Sequence, residues 1–235
     1  MLTKMQTDGM LLSAVVPMFN EEPTVGNIIA RLKAVLEETN LRYEIIVVDD
    51  YSKDNSVEAA GKYHVKVYRL KQHMGKGYAL RAGFAKAKGG IIATIDSDGS
   101  HRPEELPLLL NPILRREADL VIGSRFSTAT SATSRRNQAG NRLFNTLIHM
   151  LTRNPISDSQ SGYRVITAKV LRSLNLKSGE YEIESEMLVK TVKNGYRIKE
   201  VPISFEQRTY GTSHIDPFED GFKILMSIVS AYLRS

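Results

Sequence analysis

Five short apolar runs divide the first half of the chain: LLSAVVP at 11–17, YEIIVVDD at 43–50, VKVYRL at 65–70, IIATID at 91–96 and DLVIGSR at 119–125. Runs such as IIVV are continuous and β-branched rather than alternating, the pattern of strands covered on both faces. Between the first two, Val25, Ile28, Ile29, Leu32, Val35 and Leu36 recur at helical spacing. Strands alternating with helices in this order predict an α/β fold, a mostly parallel sheet with helices on both faces.

The second half is less regular. FSTATSATSRRNQ at 126–138 has no periodicity and reads as a mobile, functional loop. NRLFNTLIHMLTR and EIESEMLVKTVKNG read as helices, the latter ended by Gly195. YRIKEVPISF reads as a strand pair or a long strand interrupted by Pro202. The last segment places Phe218, Phe222, Leu225, Met226, Val229, Tyr232 and Leu233 on one helical face. With no internal repeat or linker, residues 1–210 are expected to form one domain and 211–235 an amphipathic helical extension, either packed on the core or resting on a membrane.

At 235 residues and 42% hydrophobic content, the chain can bury a sizeable core. It has no cysteine, so disulfides and thiolate metal sites are excluded and any metal must sit among oxygens or histidines. MLTKMQTDGM lacks a signal-peptide core, and no run approaches the ~20 apolar residues of a bilayer span. A cytoplasmic protein, soluble or peripheral, is expected. Its net charge of +6 favours anionic partners.

In a parallel sheet, ligands collect beyond the carboxyl ends of the strands. Here those ends read PMFNEE, VDDYSKD, DSDGS and GSR. Asp96 and Asp98 face the same side if strand geometry continues through them, and two adjacent carboxylates repel unless a cation joins them. Oxygen ligation points to Mg2+ or Mn2+. The bland alternative is a turn rich in turn-forming residues. An EF-hand fails, because His101 and Pro107 stand where its glycine and glutamate belong. HMGKGYAL lacks both the Walker and the dinucleotide glycine patterns, so Gly75 and Gly77 are expected to start a closely packed helix, with Lys76 near the ligand as the bolder reading. No Gly-x-Ser-x-Gly elbow occurs.

PMFNEE, VVDDYSKD, HMGKGYAL, DSDGSHRPEE, GSRF and DSQSGYR, in this order, resemble family 2 glycosyltransferases of the GT-A fold, and among them the dolichyl-phosphate mannose synthases and their polyprenyl-phosphate relatives. The resemblance runs from Val15 to about Ile215. It implies that Pro17, Phe19 and Glu21 line the nucleotide pocket, that Asp50 accepts a hydrogen bond from the base, and that Arg208 binds donor phosphate. Asp96 and Asp98 match the family's metal-holding pair, with Ser100 as a third metal-site residue. Arg125 and Arg136 would clamp the acceptor's phosphate.

The implied function is metal-dependent, inverting transfer of a hexose to the phosphate of a polyprenol or dolichol at the cytoplasmic face of a membrane. The donor implied is GDP-mannose, with UDP-glucose possible. A phosphate acceptor is already anionic and needs orientation more than a base. The alternative is a hydroxyl acceptor with Asp158 as general base. The departures are Ser100 for glutamine, Tyr51 for glycine and His73 for asparagine, and they bear on the donor more than on the reaction. A nucleic-acid-binding role is disfavoured, since the basic residues are dispersed and the acidic strand ends would repel a phosphate backbone.

Overall fold

The computed structural model describes residues 9–125, 144–150, 155–206, 208, 210 and 219–234. The expected loop at 126–138, Arg136 within it, and Phe218 lie outside these residues. Strands β1 (Leu11–Met18), β2 (Arg42–Asp49), β3 (Lys66–Arg69), β4 (Ile91–Thr94), β5 (Leu120–Ser124), β6 (Arg164–Thr167) and β7 (Ile198–Pro202) form one sheet in the order β3-β2-β1-β4-β6-β5-β7. The helices are α1 (Glu22–Glu38), α2 (Ser56–Gly61), α3 (Lys76–Lys86), α4 (Leu106–Leu114), α5 (144–150), α6 (Ala168–Ser173), α7 (Ile183–Lys193) and α8 (Glu219–Arg234). This is the GT-A arrangement, mostly parallel with helices on both faces. YRIKEVPISF resolves into the single strand β7, which pairs with β5 in parallel.

Residue alternation along the strands feeds two cores. Leu12, Ala14, Val16, Ile45, Val47 and Val121 face α1 and α4, where Val25, Ile29, Leu32, Leu36, Leu106 and Leu110 are buried. Val15, Ile92, Leu120, Ile122 and Ile166 face the other way, onto α3, α7 and α8. Helix α3 lies so close to β1 that a Cβ at Gly83 would stand 2.4 Å from Val15 Cγ1. The outer helix α8 packs Ile224, Ile228 and Ala231 into the second core. Phe222, Leu225, Met226, Val229, Tyr232 and Leu233 are exposed, so this apolar face is not core packing.

Two features of the topology place the site. Strand β1 has β2 on one side and β4 on the other, so the order in which strands are added reverses there and a crevice opens beyond its carboxyl end. Strand β6 runs antiparallel to both β4 and β5. It therefore starts at the edge where the other strands finish, and brings residues 157–163 to that edge. Arg164, at its start, is fully buried and donates to the carbonyls of Ser161 (2.8 Å), Ser159 (2.7 Å) and Glu184 (2.6 Å). One guanidinium thus ties the edge loop to the first turn of α7. Burial pulls its pKa down to about 10, which leaves it charged at neutral pH.

Removing that guanidinium takes a buried donor away from three carbonyls. Arg164→Met is expected to destabilise the fold by about 3 kcal/mol, read as a lowered urea midpoint. An unchanged midpoint would contradict the bracing role.

Candidate active site

The crevice is built by β1, β4 and the elements that abut them. Strand β4 ends at Thr94, and a turn over 97–99 takes its place, so Asp96 and Asp98 are not aligned by strand alternation. Ser97 is turned inward instead. Its hydroxyl donates to the Pro17 carbonyl (2.8 Å) and its carbonyl accepts from the Thr24 hydroxyl (2.8 Å). The acidic turn is thereby fastened to β1 and α1, and Pro17 serves through its backbone.

The two aspartates have different partners. Lys76, first residue of α3, places Nζ 2.7 Å from Asp96 Oδ1 and 2.9 Å from Glu184 Oε1. Burial opposes the ammonium charge, but Asp96 and Glu184 outweigh it and raise the Lys76 pKa. Burial likewise opposes the Asp96 carboxylate, and Lys76, then His101, overcome it and hold its pKa low. The contact to Glu184 is an ion pair without good hydrogen-bond geometry. Neither oxygen of that carboxylate, which is 4% exposed, has a hydrogen-bond partner among the described residues. A Cβ at Gly162 would lie 2.6 Å from Asp96 Oδ2 and 2.8 Å from Lys76 Nζ, so any side chain there would have to displace this ion pair.

Asp98 instead accepts from Ser100, through its backbone N–H (2.9 Å) and its hydroxyl (2.6 Å), both on Oδ1. Among the described residues Oδ2 accepts nothing. No three acidic or histidine side chains converge into an all-protein metal cage among these residues. A hard cation that takes one carboxylate oxygen and fills its other positions with phosphate oxygens and water fits this donor set, which is the habit of Mg2+ and Mn2+. Ser100 stands behind Asp98. His101 is buried against Tyr163 and Phe205, and burial holds its pKa low against the pull of Asp96 and Asp98.

Around this centre, Glu21 follows β1 and pairs with Arg208, whose Nη2 donates to Glu21 Oε1. Arg208 Nε donates to the Tyr210 carbonyl (2.8 Å). Burial, with Asp98 and Asp96 adding to it, raises the Glu21 pKa to about 7 against the opposing pull of Arg208. At the end of β2, Asp50 is buried and accepts from the N–H groups of Met74 and Gly75, both at 2.7 Å. That carboxylate braces the loop leading into α3 and is not presented openly to a base. Phe19 stacks on His73, with ring centroids 4.1 Å apart.

At the other end, Arg125 closes β5. Its Nε and Nη2 bind Asp158 Oδ2 (2.7 Å) and Oδ1 (2.8 Å), and its backbone N–H adds a bond to Oδ2 (3.0 Å). Asp158 is fully buried with both oxygens engaged. Burial opposes the Arg125 charge, but the bonds to Asp158 outweigh it and raise its pKa. The guanidinium also lies over the Phe205 ring, 5.2 Å from its centroid.

Sequence reasoning did not select Glu184 or Arg164. A signal for Glu184 was present, since it shares a helical face with Leu188 and Thr191, both buried, and a charge in such a stripe needs a partner.

The model of the family described as Glycosyl transferase family 2 matches residues 13–174. An uncharacterized protein of Methanocaldococcus jannaschii is 34% identical over 222 residues, 92% of this chain and 89% of the relative. A dolichyl-phosphate hexose transferase of Haloferax volcanii is 29% identical over 223 residues, 95% of this chain and 94% of the relative. Among solved structures, glucosyl-3-phosphoglycerate synthase from Mycobacterium tuberculosis, in complex with Mn2+, UDP and phosphoglyceric acid, superposes with a TM-score of 0.79 at 20% identity. That match covers 98% of this chain and 81% of the synthase and bears on the fold.

The Glu21 shift has a testable sign. A carboxyl group whose pKa is raised in the folded state stabilises the fold below its unfolded value near 4.5, and that contribution is lost as pH rises through about 7. Relative to Glu21→Gln, the wild type should lose on the order of 3 kcal/mol between pH 4.5 and pH 7.5, measured by urea unfolding. A stability difference flat across that range would show that Glu21 is not held protonated.

Proposed function

Because the chain belongs to Glycosyl transferase family 2, and is a glycosyltransferase, we propose that it moves a hexose from a nucleoside diphosphate sugar to the phosphate of a polyprenol such as dolichyl phosphate. The observation that carries the choice of acceptor is the saturation of Asp158. A hydroxyl acceptor needs a general base, and both oxygens of the residue placed to serve as one are bound to Arg125. An anionic phosphate needs only to be held and aimed. The name of the Haloferax relative supports the same acceptor.

On this reading the nucleotide lies beyond the ends of β1 and β2, against Phe19, Glu21 and the loop that Asp50 braces, and Arg208 faces the donor phosphates. Asp98 would hold Mg2+ or Mn2+, with Ser100 fixing its carboxylate, and the ion would neutralise charge on the departing diphosphate. Arg125, oriented by Asp158, would bind the acceptor phosphate as a rigid fork, with Arg136 joining it from the segment after β5. An acceptor oxygen attacks the anomeric carbon in line, the bond to the diphosphate breaks, and the configuration inverts. GDP-mannose is the donor we favour, with UDP-glucose the alternative that the UDP-bound structural neighbour supports.

Among the described residues no helix is long and apolar enough to cross a membrane. The exposed face of α8, in the expected extension 211–235, offers a surface for peripheral attachment on the cytoplasmic side.

The direct test incubates purified protein and Mg2+ or Mn2+ with radiolabelled nucleotide sugars and polyprenyl phosphate, and then extracts lipid. Label should enter the lipid phase from one donor, and Asp98→Asn should reduce the rate by at least about a hundredfold. Label found only on a water-soluble acceptor would overturn the phosphate reading.

A second variant probes the clamp. Asp158→Asn should raise KM for polyprenyl phosphate about tenfold or more while leaving slow hydrolysis of the donor unchanged, because the fork loses its orientation. An unchanged KM would remove Asp158 from acceptor binding.

A further inference from the structure

One exposed ring beside the crevice has no part in the chemistry proposed above. The His73 side chain is 54% exposed, yet it is held on two sides. One face stacks on Phe19 with an interplanar angle of 23°. Its Nδ1 lies 2.8 Å from Asp50 Oδ2 and 3.4 Å from the Asp50 carbonyl. Asp50 is itself pinned by the Met74 and Gly75 N–H groups, so the loop that carries His73 and the carboxylate that orients it form one rigid unit.

A solvent-exposed aromatic ring would ordinarily rotate freely. One locked in plane gives up little entropy when a second flat group settles on it. The location is also informative. His73 and Phe19 sit over the ends of β2 and β1, and Asp98 follows β4 on the far side of β1. Two strand spacings, roughly 10 Å, separate the ends of β2 and β4. That is the scale on which a nucleotide extends from its base, through ribose, to its diphosphate.

We propose that His73 is the platform on which the donor's nucleobase stacks, with Phe19 backing it and Asp50 fixing its plane. This rests on the donor reading above and adds to it a binding residue for the base. It also gives Asp50 an indirect task, since its oxygens are occupied by the loop and by His73 rather than offered to the base. Every base has a π-face, so the platform supplies affinity for a nucleoside diphosphate without choosing between uracil and guanine.

The test is calorimetric titration of the full chain, in Mg2+, with UDP, GDP and inorganic pyrophosphate. His73→Ala should weaken the better-binding nucleoside diphosphate about tenfold or more, as loss of a stacking side chain does. Pyrophosphate, which has no base, should bind within about twofold of wild type, and His73→Phe should recover most of the nucleotide affinity by restoring a ring. Unchanged nucleotide affinity in His73→Ala overturns the inference. An equal loss for pyrophosphate does so too, because it would report a collapsed loop. If the wild type binds neither UDP nor GDP, the donor reading itself fails and this one fails with it.

Discussion

A lysine held between two carboxylates organises the centre of this molecule. Lys76 comes from the start of α3, Asp96 from beyond β4 and Glu184 from the first turn of α7, three elements that also share the second core. Removing Lys76 would leave two neighbouring carboxylates without their shared cation in largely buried surroundings, which costs far more than the loss of an exposed ion pair. The glycine at 162 records how tightly the chain closes over the pair. Because Lys76 occupies one oxygen of Asp96, the two aspartates of IDSDGSH do different work. Asp96 is anchored by Lys76, and Asp98 is the one we propose for the ligand.

The same division of labour recurs at the other strand ends. Asp50 braces the loop before α3, and Asp158 spends both oxygens on orienting the Arg125 guanidinium. Each is a carboxylate consumed by the scaffold, and each positions a neighbour, His73 or Arg125, that is more available than itself. A site made this way is preorganised, since its cations and rings are oriented before any substrate arrives. For phosphate acceptors this suffices, because the nucleophile already carries its charge.

The fold was legible because its signals are local. Continuous β-branched runs such as IIVV and the helical spacing from Val25 to Leu36 need no knowledge of distant residues, and they became β2 and α1. Strand β6 was not legible. RVIT is four residues long, and its antiparallel insertion between β4 and β5 depends on pairing Val165 with Ala93 and Val121, 72 and 44 residues away in sequence. The acidic strand ends do gather at one edge of the sheet, but the sequence does not announce the partner of each carboxylate. Nothing near Asp50 in sequence announces that the amides of residues 74 and 75 will claim it. Glu184 lies 88 residues beyond Asp96, so the Lys76 bridge could appear only once the chain had folded. The apolar face of α8 was read from spacing alone, and only burial separated it from the opposite face, with Ile224 and Ile228, that packs on the core.

The central claim is that a donor diphosphate binds in the β1–β4 crevice with its cation on Asp98, while Lys76 stays between Asp96 and Glu184. A crystal structure with Mn2+ and a nucleoside diphosphate, with the metal located by anomalous scattering, tests this most directly. The predicted result is a manganese peak bonded to Asp98 and to the diphosphate, with the Lys76 bridge intact. A peak away from Asp98, or a nucleotide bound elsewhere than at the ends of β1, β2 and β4, would contradict it.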